Sequence, residues 1–413
     1  MIKRSCLPEL IEHLDRKEIS LLIGPRQAGK TTLMRLLGEH LKAQGRKIMF
    51  LDLDIEEERV YFNSQRNLLD KIKLTIGNDG VVFIDEIQRK EDAGRFLKGI
   101  HDMNLPYKFI VSGSGSMELK EKIGESLMGR KRIFKIETIR YKEFVNYKTD
   151  YLYENRLEDF FRVEKNETRR LLEEYLRFGG YPRVVLALTG REKYKEIREI
   201  YDSYLERDII GLLRIAKSET YSQLIRIISA YGGQLINYSH LSSILATSQS
   251  TVREYLWFLE KTFILQKLTP FTRRVGREII KSPIYYFKDL GLKNYGAGIF
   301  GQEISSLTLS FLFQNFVFLR LEEEIESEPS TIHFWRSKGG AEVDFVLDLG
   351  SEILPIEVKY SVLRRPEVTR SLRAFLEKYQ PRRAVVVNLG LKEETMIGKT
   401  KVFFLPFYEP ILK

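Results

Sequence analysis

The segment Gly24-Pro25-Arg26-Gln27-Ala28-Gly29-Lys30-Thr31 constrains this chain more than any other, because it joins an apolar run, ISLLIG, directly to a helical pattern, TLMRLLGEHL. Two glycines at that spacing let the backbone wrap closely around an anion, with successive N–H groups pointing inward as a nest. Lys30 adds a mobile cation for the outer oxygens of a polyphosphate. Thr31 offers a hydroxyl to Mg2+, with Thr32 beside it at the helix start. The positive end of that helix faces the same oxygens. Strand, loop and helix in this order predict a phosphate cradle.

A second apolar run, GVVFIDE, ends in Asp85 and Glu86. A carboxylate at a strand tip can hold the Mg2+ or its water ligands, which is the role read for Asp85. Glu86, next in line, is placed to orient and deprotonate a water. A phosphotransferase has less use for that adjacent base, so the pair favours hydrolysis. A further run, KFIV, leads into Ser112-Gly113-Ser114-Gly115-Ser116. Hydroxyls there can touch a γ-phosphate or the attacking water, and they suit a plain turn equally well. Strands are expected at 19–23, 47–52, 81–85, 109–112 and 133–137, alternating with helical patterns. That is the signature of an α/β fold with a parallel sheet flanked by helices.

With 413 residues the chain is long enough for two to four domains. A composition 43% hydrophobic and 30% charged excludes a largely disordered chain. No apolar run is long enough to cross a bilayer, and the basic N-terminal stretch develops no apolar core, so neither a membrane nor a secretory route is expected. The single cysteine, Cys6, cannot form an internal disulfide, which fits a cytoplasmic protein. A net charge of +10 points to an anionic partner, nucleic acid first.

Residues 224–271 read as a helix, a short helix from Ser239, a turn near Thr247 and a second helix from Ser250 to Lys261. A short helix, a turn and a longer helix is helix-turn-helix syntax. Ser250 suits an N-cap, and Ser250 and Arg253, with Gln249 and Thr251, are the residues expected to face a DNA groove. Tyr255 and Trp257 suit core packing. The following stretch resembles the wing of a winged helix, where Lys267, Arg273, Arg274, Arg277 and Lys281 outnumber Glu278 and suit phosphate contact. A protein-docking role for the same module stays open.

From about residue 305 the chain reads helix, strand, strand, helix, strand. Asp344 in GAEVDFV and Glu357 and Lys359 in PIEVK fall on alternating strand positions that share one face. Two carboxylates can bind Mg2+ and a lysine can position water for phosphodiester attack. The arrangement resembles the PD-(D/E)XK nuclease fold, with Asp344 and Glu357 as metal ligands and Lys359 completing the second half-motif. That fold often places a glutamate on the preceding helix, where this chain has Gln314, a poorer metal ligand. Glu342 is the alternative carboxylate.

The phosphate cradle with Asp85 and Glu86 resembles AAA-type ATPases of the additional-strand class, with Ser112 or Ser114 in the sensor position. Met128-Gly129-Arg130, the segment from Ile136 to Phe144, FGGYP and YLERDI extend the likeness to nearly the whole chain. The sequence is similar to bacterial and archaeal AAA-type ATPases that carry a C-terminal domain of unknown function. The resemblance implies ATP as the nucleotide. Four parts are expected: an ATPase domain over 1–150, a helical lid or linker over 151–217, a winged helix over 218–300 and a PD-(D/E)XK-like α/β domain over 301–413. Arg130 and Arg183 are the expected cations reaching a nucleotide, in the same subunit or a neighbour. The leading functional expectation is an ATPase whose nucleotide state controls how the C-terminal half meets DNA. An ATP-regulated, metal-dependent DNA nuclease and a protein-docking ATPase are the alternatives, and the oligomeric state stays open.

Overall fold

A computed structural model of the chain describes residues 2–114, 127–203, 218–272, 282–326 and 328–412. The first elements are α1 (Leu7–Glu12), β1 (Ile19–Gly24), α2 (Lys30–Ala43), β2 (Ile48–Asp52), α3 (Gln65–Ile76), β3 (Gly80–Asp85), α4 (Ala93–Asp102), β4 (Tyr107–Ser114) and β5 (Lys131–Lys135). The strands form a five-stranded sheet in the order β2-β3-β4-β1-β5, every pair parallel. β1 and β3 bury all their residues, as strands covered on both faces must. Leu22, Val81, Phe83 and Ile110 meet Leu33, Leu37 and Leu41 of α2. The alternate residues Leu21, Ile23, Val82 and Ile84 meet Leu68 and Ile72 of α3 and Leu97 of α4 on the other face. Because the strands are parallel, their C-terminal tips, Gly24, Asp85 and Ser112 among them, gather along one edge. β5 starts two residues earlier than expected, since Lys131 pairs with Ile19 at the start of β1.

A helical stretch follows: α5 (Tyr141–Lys148), α6 (Leu157–Val163), α7 (Lys165–Phe178), α8 (Pro182–Leu186) and α9 (Gly190–Ile200). The FGGYP segment breaks α7 from α8. Gly179 has φ 72°, and a Cβ there would lie 2.4 Å from the Gly291 nitrogen, so only glycine fits. Pro182 then starts α8, where its missing N–H costs nothing.

Next come α10 (Ser218–Tyr231), α11 (Tyr238–Ile244), α12 (Gln249–Lys261), β6 (Leu265–Pro270) and β7 (Ile284–Phe287). Two helix starts differ from expectation. Asn237, not Ser239, caps α11, and Ser248, not Ser250, caps α12 by accepting the Thr251 N–H at 3.1 Å. Ser248 wins because it has the extended backbone that a cap needs, whereas Ser250 already lies in the first turn. Arg273, Arg274, Arg277 and Lys281 lie outside the described residues.

The chain ends with α13 (Leu290–Gly296), α14 (Ser306–Glu324), β8 (Thr331–Arg336), β9 (Glu342–Asp348), β10 (Ile353–Val358), α15 (Arg370–Tyr379), β11 (Arg383–Asn388), β12 (Glu393–Ile397) and β13 (Thr400–Pro406). These strands and the earlier hairpin form one eight-stranded mixed sheet, β12-β13-β11-β10-β9-β8-β6-β7. The join is parallel pairing of Thr269 and Pro270 in β6 with His333 and Phe334 in β8. Tyr141, Phe144 and Leu172 pack in one cluster with Phe316, Phe345 and Ile356. No helix among the described residues is long and apolar enough to cross a membrane.

Candidate functional site

The sharpest geometry lies where β1, β3 and β4 end. Gly24 runs against β5's exit: a Cβ there would stand 1.9 Å from the Ile136 carbonyl oxygen, so the loop leaves the sheet only through glycine. Gly29 takes φ 95° and Gln27 φ 60°, left-handed positions that curl residues 25–29 into the turn before α2. The Lys30 ammonium is held by the carbonyls of Gly24 at 3.1 Å and Pro25 at 2.8 Å. Burial lowers its pKa to about 8, against the pull of Glu86 and Asp85, while Arg26 pushes the same way as burial.

Thr31 donates to one Asp85 oxygen at 2.6 Å, and the Ser112 hydroxyl donates to the other. The Glu86 N–H reaches both Asp85 Oδ1 at 3.1 Å and Ser112 Oγ at 3.2 Å. That contact requires Glu86 to adopt φ 53°, an uncommon conformation for a residue with a side chain. Burial raises the Glu86 carboxyl above the usual range, and Lys30 opposes it. Gln88 donates to its Oε2. The contact to Asp85 is made by Ser112, one of the two serines expected at the sensor position. Ser114 pairs with Gly24 in the β1–β4 ladder, so its backbone borders the loop.

A cavity of about 360 Å³ opens beside these groups, lined on its polar side by Gln27, Gly29, Lys30, Thr31, Thr32, Glu86 and Arg183. Leu36, Ile139, Pro182 and Leu186 form its apolar side. Arg183 lines it, paired with Glu199 at 3.0 Å through both terminal nitrogens and with Glu196 at 2.5 Å. Arg130 does not. Its carbonyl accepts from Ile19 at the far end of β1, about 16 Å of strand away from Gly24, and its side chain pairs with Asp102 at 2.6 Å. The expectation that Arg130 reaches this chain's own nucleotide is therefore corrected: β5 carries it away from the tips.

Two residues escaped the sequence reading. Arg4 is buried and donates to the carbonyls of Ala28 at 3.0 Å and Glu137 at 2.7 Å, with Glu143 at 3.1 Å as counter-ion. It braces the loop from beneath. Lys288, just after β7, bridges Glu137 at 2.7 Å and Glu322 at 2.9 Å, tying the exit of β5 to α14. Only a basic residue near the N-terminus hinted at the first, and no local pattern marks the second.

The C-terminal cluster forms as the alternation predicts. Asp344 accepts from Gln314 Nε2 at 2.8 Å and from the Val358 N–H at 2.7 Å. Glu357 is buried, held by Lys359 at 2.6 Å and by the Thr369 hydroxyl at 2.7 Å. Burial pushes Asp344 up to about 7, and the nearby Glu357 adds to the shift. As a metal site the donor set does not fit. Both carboxylates are already engaged, Gln314 offers a neutral amide, and no group of three metal-ligating side chains occurs among the described residues. At the loop site the donors do fit Mg2+: a hydroxyl and a carboxylate, both hard oxygens, beside a space for phosphates.

On α12, Ser250 and Arg253 stand on the exposed first turns. Ser250 Oγ lies 2.6 Å from Ser248 Oγ, and the Arg253 guanidinium lies 3.7 Å over the Tyr238 ring.

A parallel sheet with a glycine-bounded loop at the tip of β1, an anchored lysine and a Thr–Asp pair defines a P-loop nucleotide-binding fold. Residues 16–145 match the family described as AAA domain, and residues 309–408 match a domain of unknown function (DUF4143). The chain joins an AAA domain to that C-terminal domain. Residues 169–303 between them match a second domain of unknown function (DUF8612). Similar relatives are an uncharacterized protein of Mycobacterium tuberculosis, 27% identical over 94% of this chain and 80% of that one, and one of Haemophilus influenzae, 26% identical over 98% of both. An uncharacterized protein of Methanocaldococcus jannaschii is 25% identical over 91% of this chain and 81% of its own length. Among solved structures, Aeropyrum pernix ORC1 in complex with DNA aligns with 71% of this chain and 91% of its own at 13% identity and TM-score 0.31. The replication initiator DnaA bound to AMPPCP and single-stranded DNA aligns with 63% of this chain and 90% of its own at 12% identity and TM-score 0.28.

Proposed function

We propose that this chain binds ATP with Mg2+ and hydrolyses it, and that the nucleotide state governs how its C-terminal half meets DNA. The observation that carries the reading is the joined set Thr31–Asp85–Ser112–Glu86, of which Thr31 and Glu86, with Lys30, line a cavity of nucleotide size. The loop amides of residues 25–30 and the Lys30 ammonium bind the phosphates. Thr31 and Asp85 would hold Mg2+, which would supply positive charge beside the phosphates. Glu86 takes the proton of the attacking water, and burial makes its carboxylate a stronger base than a solvated one. Ser112 fixes the Asp85–Glu86 turn. The apolar wall of Leu36, Ile139, Pro182 and Leu186 accepts a flat base. Arg183 reaches the γ-phosphate when it exchanges Glu196 and Glu199 for the nucleotide.

The residues read as contacting DNA are Ser250 and Arg253, at the exposed start of α12, and, by their charge in the sequence alone, Arg273, Arg274 and Arg277. The Arg253 stack on Tyr238 favours a second reading for this module, docking onto a protein, because part of the Arg253 guanidinium face is already covered. The salt dependence of DNA affinity separates the two, being steep for phosphate contact. The catalytic assignment is tested by Glu86→Gln in a nucleotide-binding and turnover assay. Retained ATP binding with turnover lost supports it, and turnover at the parent rate overturns it.

A further inference from the structure

We infer that the sheet end bearing Asp344 and Glu357 presents a second surface for the backbone of duplex DNA, formed by Lys338, Arg364, Arg370 and Arg373. The inference rests on the DNA reading above and adds to it a contact that lies outside α12 and the basic stretch after β6.

Topology gathers these residues. In the antiparallel β9–β10 ladder, Asp348 opposes Ile353 and Phe345 opposes Ile356, so the turn before β9 and the segment after β10 emerge at the same end. Lys338 lies in that turn. Arg364 lies in the segment, and the Thr369 hydroxyl pins the start of α15 to Glu357 at 2.7 Å, which brings Arg370 and Arg373 alongside.

All four side chains are exposed. The neighbouring carboxylates are taken by other cations: Glu342 faces Arg336 at 3.9 Å, Glu357 holds Lys359 at 2.6 Å and Glu367 holds Arg365 at 2.9 Å. Among the described residues none of the four has a carboxylate partner. Arg373 donates only to the Val368 carbonyl, through Nε at 3.3 Å, which leaves its terminal nitrogens for another acceptor.

Folding does not explain the placement. Arg370 and Arg373 occupy the first turn or so of α15; that turn contains no acidic residue, and cations there oppose the helix dipole. Guanidinium groups suit phosphate oxygens because they bond in pairs. An acidic protein partner would also need buried apolar anchors. The segment after β10 exposes one such side chain, Val362, at 61%. Backbone phosphates need none, and the chain's net charge of +10 has the matching sign.

The test is the salt dependence of binding, followed by fluorescence anisotropy of a labelled mixed-sequence duplex with the full chain. In Arg364→Glu/Arg370→Glu the affinity at low salt is expected to fall by about tenfold or more, and the slope of log affinity against log salt to shrink by about two. Arg370→Glu places an acid in the first helical turn, so the melting temperature is expected to hold and lost binding cannot be lost folding. Parent protein that binds duplex, with a double variant of equal affinity and slope, overturns this surface and leaves the DNA reading standing. Parent protein that fails to bind duplex at any salt overturns both.

Discussion

Two carboxylate clusters sit at strand ends of this molecule, and they are built to different purposes. At the tips of β3 and β4, Asp85 is bonded to hydroxyls and a backbone N–H, groups that a metal or phosphate can displace or share, and Glu86 faces an open cavity beside Lys30. In the C-terminal sheet, Asp344 is closed off by an amide and a backbone N–H, and Glu357 by a lysine and a threonine. The first cluster leaves its charges work to do. The second holds its carboxyls in internal hydrogen bonds and one ion pair. Residue types alone do not distinguish the two; the partners on each lone pair do.

The contrast is sharpest in turnover. Glu86→Gln is expected to lower ATP hydrolysis by roughly 10²–10⁴-fold with binding retained, whereas Glu357→Gln leaves it within twofold. A coupled phosphate-release assay on both variants checks this, and equal losses would erase the distinction. Next in size is Arg4→Ala. It leaves Glu143 buried without its partner, at about 3–5 kcal/mol of stability, measured by denaturant unfolding.

Two effects depend on pH. Lys30 in the free protein loses its proton near pH 8, so ATP affinity is expected to fall by about tenfold per pH unit above that point, as binding must restore the proton. Calorimetry in buffers of different ionisation heat reads the proton uptake directly, and a flat profile to pH 9.5 refutes it. Asp344 behaves with the other sign. Its folded pKa, about 7, lies above that of the unfolded chain, so stability is complete below about pH 4 and declines as pH rises towards 7. Asp344→Asn is therefore expected to raise the melting temperature at pH 8 by a few degrees and to change little at pH 4. The smallest effect is expected from Arg130→Ala: unchanged turnover at low protein concentration, since the residue lies at the opposite end of β1 from the loop. A loss that grows with concentration would instead show action on a neighbouring copy.

The loop, Asp85 and Glu86 were legible because local chemistry dictates them. Phosphate binding needs glycine, lysine and threonine at fixed spacing, and a strand tip needs an apolar run before it. The Asp344–Glu357 pairing was legible too, since strand alternation fixes faces. Long-range geometry was not. Nothing near Arg130 in sequence says that β5 begins there, and nothing near Arg4 or Lys288 says which carbonyls and carboxylates they meet, at separations of 24 residues for Arg4–Ala28 and 34 for Lys288–Glu322. The cap of α12 shows the same limit in miniature, because Ser248 and Ser250 have equal chemistry and only the backbone chose between them.

The pairing of β6 with β8 has a consequence for how the chain is made. Its partners Thr269 and His333 stand 64 residues apart, with α13 and the whole of α14 between them. When α10–α12 leave the ribosome their own cluster can close, but β6 still presents a bare edge that waits for β8 to be synthesised. Any fragment ended near residue 300 would keep that edge for good, and self-association through it is the outcome to expect. The last hundred residues thus supply the strand that covers this edge of β6.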